Sequence, residues 1–409
     1  MMRQSIIRAG ASSQMDFGYS AEQEAYRKEV RAWLEANQPP PMTRAEKEAA
    51  DEEFLWQRLK AWHKRLYDGG WAGISWPKQY GGRGASFIEQ LIFSQELARL
   101  KLPVGCNVLG VIMAGPALMQ WGTEEQKNRF LQPILTGDQI WCEGLSEPGA
   151  GSDLAAVQTR AVLEGDYFIV DGQKIWTTLA HRSDYCQLFV RTDSTLPKHK
   201  GMSCLMVDMK TPGVTVRPLR QITGESEFNE IFFDGARIPK ENLLGPLNAG
   251  WQVLVSTLMH ERFGISETLS GTDQTLAQLV DLAKGCLIDG RPASEDPTVR
   301  QQIAQFAIEA AAKKYNGWRG LTRRLKGLPP GPESSIGKML STELLQRMTK
   351  FAGRLLGQYA MLEYRTPFAP EDEGWLRRIL YSESLTIAGG TTPVQKNMIG
   401  ERILQLPKG

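Results

Sequence analysis

The sequence is poor in the residues on which hydrolytic, metal and redox-thiol chemistry depend. Its 409 residues include four histidines, at positions 63, 181, 199 and 260. None lies in a nucleophile-elbow or zincin pattern, so serine-hydrolase and zinc-peptidase readings lack their partners. The five cysteines, at 106, 142, 186, 204 and 286, show no metal-ligand spacing. An odd number without pairing motifs fits a reducing compartment. No apolar run reaches the roughly 18 residues a membrane span needs. Met1 to Gly10 carries two arginines but no long apolar core, so a signal peptide is not read there. The expected location is cytoplasmic. Charge of one sign is also missing: 48 basic side chains face 46 acidic ones, for a net charge of +2. That balance leaves no footprint for nucleic acid or an acidic membrane. The run Lys198-His199-Lys200 reads as a solvated turn.

What is present is a soluble globular composition, 42% apolar and 23% charged, on a chain long enough for two or three domains. Ser20 with Gln23, Thr43 with Glu46, and Thr123 with Gln126 have capping-box spacing. They predict helices to about Ala36, Leu66 and Leu135. Further helices are expected over Ser86–Leu100 and Leu109–Met119. After residue 140 the period changes. Segments 157–162, 167–176, 187–191, 202–207, 214–218 and 228–233 alternate as short strands separated by glycine turns, which predicts a small barrel or sandwich. Helical periodicity returns at Ala249, with candidate helices 249–285, 298–324, 334–365, 372–388 and 394–404, as in a bundle. The expected class is a multi-domain α+β protein. Its parts are an N-terminal all-α domain (1–140), a middle β-barrel domain (141–245) and a C-terminal helical bundle (246–409).

Four places offer chemistry. Gly144-Leu145-Ser146-Glu147-Pro148-Gly149-Ala150-Gly151-Ser152-Asp153 joins the first two domains. Its glycines let a ligand approach the backbone, and Ser146 and Ser152 offer hydroxyls. Glu147 and Asp153 would repel a phosphate if they faced one, and an ordinary interdomain turn is the plainer alternative. Glu261, seven residues after Leu254 and three after Leu258, lies on or beside an apolar helical stripe. A carboxylate near a dry face suits a general base; the alternative is a surface glutamate balanced by Arg262. Trp176 ends a predicted strand with Thr177 and Thr178, which fits either a planar ligand or a cross-strand aromatic pair. Gly389-Gly390-Thr391-Thr392 breaks the last two helices and leaves amides at a helix start, as a carbonyl or phosphate site or a plain link.

Taken together, these places resemble the acyl-CoA dehydrogenase family, from about Gly70 to Pro407. Gly144 through Ala156 matches the family's first signature. Gly70-Trp71, Gly81-Gly82, Gly122-Thr123-Glu124-Glu125-Gln126-Lys127, Gly172-Gln173-Lys174 and the ending Gln395 to Arg402 continue the likeness. The resemblance implies a helical domain, a β-barrel and a helical bundle, with FAD between barrel and bundle. It implies that Leu145 and Ser146 meet the flavin's pyrimidine edge, that Trp176 packs on its ring system and that Thr178 approaches N5. It further implies that Thr391 is a cofactor contact and that Ser152 touches the CoA arm. The implied reaction is α,β-dehydrogenation of an acyl-CoA to the trans-2-enoyl-CoA, with electrons passed to an electron-transfer flavoprotein.

Two departures from the family's commonest pattern matter. The usual Glu-Gly-Thr base segment reads Gly389-Gly390-Thr391 here, whereas Glu261-Arg262 matches members that carry the base on the first bundle helix. Glu261 is therefore the expected catalytic base, with Gly390 as a backbone polariser and Arg262 as a substrate contact. The missing side chain at 389 widens the expected cavity for a branched or bulky acyl group, and the likeness to bacterial members that handle unusual acyl-CoAs adds dicarboxylic and steroid-side-chain substrates to what is expected. Second, Arg291-Pro292-Ala293 and Arg354-Leu355-Leu356-Gly357-Gln358 match poorly the family's segments for FAD contact across subunits. The expected assembly is a homo- or hetero-oligomer, dimer or tetramer. An acyl-CoA oxidase, a flavin monooxygenase on the same fold, and a non-catalytic subunit of a mixed complex are the alternatives.

Overall fold

The computed structural model describes residues 18–268, 271–328, 331, 333–362 and 374–407, and the side chains of 44, 48, 260–268 and 333 lie outside that set. The chain begins with helices α1 (Ala21–Asn37), α2 (Arg44–Ala49), α3 (Glu52–Asp68), α4 (Phe87–Arg99), α5 (Gly115–Trp121) and α6 (Glu124–Thr136). At Ser20, Thr43 and Thr123 both bonds of the capping box are made, and Ser86 with Glu89 forms a fourth. The single helix expected from Thr43 to Leu66 is instead two. Asp51 takes the Phe54 N–H at 2.7 Å and starts α3 afresh, with Ala50 extended between α2 and α3. This competing cap decides the break.

Four of the tryptophans, 62, 71, 76 and 141, are buried in the core that joins the helical domain to the sheet. Trp71 stacks on Phe93 with ring centroids 5.4 Å apart. The same domain holds one buried acid. The Glu96 side chain is 2% exposed and takes hydrogen bonds from Arg27, Arg31 and Arg99. Burial alone would raise its pKa, but the three guanidinium groups outweigh that and hold it down at about 2. A depressed carboxylate contributes stability above its unfolded pKa of roughly 4.3 and loses it as pH falls toward the folded value. Glu96→Gln is therefore expected to lower the melting temperature at pH 7, with a loss of roughly 3 kcal/mol. The gap from wild type should close as pH drops from about 4 to 2, as read by thermal unfolding across pH.

The middle of the chain supplies β1 (Trp141–Gly144), β2 (Arg160–Glu164), β3 (Tyr167–Thr178), β4 (Tyr185–Arg191), β5 (Met202–Asp208), β6 (Val214–Pro218), β7 (Phe228–Pro239) and β8 (Leu243–Leu244). They form one continuous sheet in the order β6-β7-β3-β2-β4-β5-β8, with β1 added parallel to β4. One face encloses its own core of Phe168, Leu188, Val190, Ile231 and Ile238, and the other packs on the helices.

The last part holds α7 (Gly250–Thr268), α8 (Gly271–Gly285), the short hairpin β9 (Leu287–Ile288) and β10 (Arg291–Pro292), α9 (Pro297–Leu325), α10 (Glu333–Leu356), α11 (Trp375–Leu385) and α12 (Thr392–Arg402). The expected helix 249–285 is α7 and α8, with residues 269 and 270 outside the described set. The expected helix 334–365 ends early. After Leu356 the chain tightens into a 3-10 turn at Gly357, whose φ of +55° suits glycine.

Candidate active site

The stretch after β1 is fastened at both ends and open in the middle. Glu147 does not face outward. It is 8% exposed, and its carboxylate accepts from the Gln158 N–H (2.6 Å), the Thr159 N–H (2.9 Å) and the Lys174 ammonium (2.9 Å). Burial pushes the carboxyl up, but the Lys174 charge and the two amides outweigh it and hold the group below the usual range. Lys174 lies in β3 with no exposed surface, and burial draws its pKa down while Glu147 pushes it back up. The same ammonium donates to the Leu145 carbonyl at 3.0 Å, and the Ile175 N–H donates to the Ser146 carbonyl at 2.9 Å. Downstream, Arg191 donates to the carbonyls of Ala155, Val157 and Lys198. Residues 148, 149 and 151–153 between these anchors are exposed. A Cβ built on Gly149 or Gly151 would meet nothing within 4 Å, so this side of the loop is free for a ligand. Asp153 pairs with Lys198 at 2.6 Å on the surface, which sets the 198–200 run beside Ser152.

Trp176 stands next to this loop in an unusual conformation. Its φ is +62°, and the β3–β7 register slips between Lys174 and Thr177, so β3 carries an extra residue there. A bulge re-aims a side chain out of the strand's alternation. The indole is 60% exposed, with its ring T-shaped to Phe228 of β7 at 6.2 Å. The cross-strand contact and the open aromatic face therefore coexist. A bulky residue at positive φ costs of order 1–3 kcal/mol. That cost gains nothing for packing when the ring ends up in water. Thr177 is buried with no hydrogen-bond partner for its hydroxyl among the described residues, and Thr178 is half-buried.

The bundle contributes the α11–α12 turn. Gly389 and Gly390 have φ of +63° and +91°. Gln395 Nε2 donates to both of their carbonyls (3.0 and 3.3 Å), and Lys338 Nζ donates to that of Gly390 at 2.7 Å. A Cβ at Gly390 would sit 2.6 Å from Gln395 Nε2. With the carbonyls taken on one side, the amides of Gly390 and Thr391 make no hydrogen bond to another described residue. The Thr391 side chain caps α12 through the Val394 N–H. Arg377, in the first turn of α11 and so at the far end of that helix from this turn, grips Glu225 of the β6–β7 connection through two bonds, at 2.7 and 2.8 Å, and ties α11 to the sheet.

Glu261 and Arg262 fall within α7, and their side chains lie outside the described residues. Sequence reading did not single out Arg191 or Lys338, and it had Lys174 and Gln395 only as part of the likeness, without a role. The signal for Lys174 was its place in a strand, where a lysine in the buried phase needs a carboxylate partner. For FAD the local features fit: an open indole face in a strained bulge, loop glycines with space beside them, and an orphaned buried hydroxyl at Thr177.

A helical domain, a continuous sheet and a helical bundle, in this order along the chain, define an acyl-CoA dehydrogenase fold. The chain matches the acyl-CoA dehydrogenase N-terminal domain over residues 20–138, the middle domain over 142–236 and the C-terminal domain over 248–404. The chain belongs to this family. It is 35% identical over 396 residues to acyl-CoA dehydrogenase IpdE1 of Mycobacterium tuberculosis, covering 94% of this chain and 98% of that one. It is 30% identical to the human mitochondrial short-chain specific acyl-CoA dehydrogenase, covering 87% and 84%. Among solved structures it resembles the Tcur3481-Tcur3483 steroid ACAD, with a TM-score of 0.84 at 31% identity over 97% of this chain and 100% of that one. The ChsE4-ChsE5 complex from Mycobacterium tuberculosis gives the same values. Among the described residues no helix is long and apolar enough to cross a membrane.

Proposed function

We propose that the protein is an FAD-dependent acyl-CoA dehydrogenase that converts an acyl-CoA to the trans-2-enoyl-CoA with Glu261 as base. The observation that carries this reading is the Trp176 shelf, strained and open, beside a loop whose carbonyls are tied away by Lys174 and Ile175. Leu145, Ser146, Trp176, Thr178 and Thr391 would hold the cofactor, and Ser152, Arg262 and Gly390 the acyl-CoA. FAD bound there supplies a two-electron acceptor for the β hydrogen. The chain's own residues do the rest. The Gly390 and Thr391 amides donate to the thioester oxygen as negative charge develops, and Glu261 takes the α proton. Preorganisation favours this use of the turn, because both carbonyls are already bonded and no reorganisation is needed.

The glycine at 389 leaves room beside the α carbon for a bulky acyl group, branched or dicarboxylic chains included, and a neighbour described as a steroid ACAD supports the steroid-type substrate among them. Relatives that form two-chain complexes support an assembly with a second subunit, alike or different. An electron-transfer flavoprotein is the expected acceptor.

The test is an anaerobic absorption titration of the purified chain with short, long, branched, dicarboxylic and steroid-type acyl-CoAs. Bleaching of the visible flavin band by one class is the expected result and names the substrate. Flavin that no acyl-CoA bleaches would defeat the reading. Rapid reoxidation by oxygen during turnover would move the protein to the oxidases.

A further inference from the structure

The helix that carries Glu261 is fastened one turn ahead of it. The hydroxyls of Ser256 and Thr257 both give their protons to the Val253 carbonyl, at 2.8 and 2.9 Å. With those protons committed, both oxygens can act only as acceptors towards other groups. From α5, Trp121 Nε1 donates to Ser256 Oγ at 2.8 Å, and from β4, Gln187 Nε2 donates to Thr257 Oγ1 at 3.1 Å. The two bonds clamp α7 between the helical domain and the sheet. Gln187 and Thr257 are both wholly buried.

The Thr257 proton also fixes the Gln187 amide. Its nitrogen must face Thr257, so its oxygen points elsewhere. That oxygen is buried and has no hydrogen-bond partner among the described residues. A buried acceptor left unmade costs about 1–3 kcal/mol, whereas an apolar side chain of equal shape would cost nothing of the kind. Packing of the sheet against α7 alone would be served better by methionine or leucine at 187. The polar tie therefore does something packing does not require. Its place tells what. Gln187 is in register with Glu143 of β1, two residues before Leu145. Position 261 follows Thr257 by four residues, about 6 Å along the helix.

We propose that Gln187 and Thr257 are positioning residues for the reaction. Their hydrogen bond sets the rotation and height of α7 at the turn from which residue 261 reaches the α carbon. The proposal rests on Glu261 being the base. Geometry of this kind matters steeply, because a displacement of about 1 Å at the reacting group can cost about 100-fold in rate.

The test uses the holoenzyme and single-turnover anaerobic bleaching with whichever acyl-CoA bleaches the wild type. Thr257→Val removes the acceptor, Thr257→Ser restores it, and Gln187→Met removes the donor from the sheet side. Thr257→Val and Gln187→Met are expected to slow bleaching at saturating acyl-CoA by about tenfold or more. Flavin content and the half-saturating concentration are expected to stay close to wild type, and Thr257→Ser to recover most of the rate. Wild-type speed in Thr257→Val, or equal slowing in Thr257→Val and Thr257→Ser, would overturn the proposal. Should Thr257→Val lose its flavin, Gln187→Met carries the same test alone. Glu261→Gln, run beside them, keeps the two readings apart. If it bleaches normally the base is elsewhere, and slow bleaching in Thr257→Val then has another cause.

Discussion

Glu261→Gln is expected to abolish flavin bleaching by acyl-CoA, with the single-turnover rate falling by about a thousandfold. Glutamine keeps the volume and the polarity of the side chain but cannot accept the α proton. A thioester's α proton is weakly acidic, so amide donors at the carbonyl do not remove the need for a base. The expected variant still folds and still carries flavin, since residue 261 is placed on a bundle helix and not in the 144–153 loop. A second substitution sharpens the result. Gly389→Glu, made in the Glu261→Gln background, returns a carboxylate to the place where most family members carry theirs. Residue 389 sits at φ +63°, where any side chain is strained by about 1–2 kcal/mol. Recovery should therefore be partial: well above Glu261→Gln alone, well below wild type. Bleaching at the wild-type rate in the single variant would sink the assignment of the base.

The parts of this protein that the sequence displays are those decided locally. Three capping boxes were legible because both members lie within four residues of each other, and the structure makes both bonds in each. The change from helical to alternating period near residue 140 and back near 249 was legible for the same reason. What could not be read depends on distant partners or on two local signals in competition. Asp51 ended one expected helix by offering a better local cap than continuing the turn. The strand β1 is four residues, all buried, and lies at the start of what read as loop, so no alternation marks it. The candidate site divides in the same way. Trp176 and the two glycines at 389 and 390 were visible as residues out of keeping with their surroundings. Glu147 was visible too, but as a charge that spoiled an anion site; only its meeting with Lys174, 27 residues on, turns it inward. The resemblance to a family supplied roles for these residues, and the roles of Lys174 and Gln187 lay outside it because both act through contacts across the sheet.

Lys174→Met is expected to cost the protein its flavin and a large part of its stability. The change removes the only cation the described residues place on the Glu147 carboxylate and leaves that charge buried beside two amides. Removing one partner of a buried pair costs roughly 3–5 kcal/mol, because the other must stay charged without a partner or take up a proton. The loss falls on the loop itself. Lys174 also holds the Leu145 carbonyl, so the backbone from 145 to 147 is released along with Glu147. Glu147 is held below its ordinary range in the folded protein, so its carboxylate contributes stability above the unfolded carboxylate pKa of roughly 4.3, and burial, which holds the Lys174 ammonium below its ordinary range, offsets part of it. The difference between wild type and Lys174→Met should be largest near neutral pH and shrink as acid protonates Glu147 in both. A double change separates stability from binding. Lys174→Met with Glu147→Leu replaces both charges by apolar groups, and such replacements are often neutral for stability. The double variant should regain part of the melting temperature and still elute without flavin, because an apolar pair removes the unpaired charge but cannot hold the Leu145 carbonyl or the amides of Gln158 and Thr159. The ratio of flavin to protein absorbance after gel filtration reads one effect and thermal unfolding the other. Full flavin in Lys174→Met would show that the loop keeps its shape without the buried pair, and the account of the site given by its geometry would have to be abandoned.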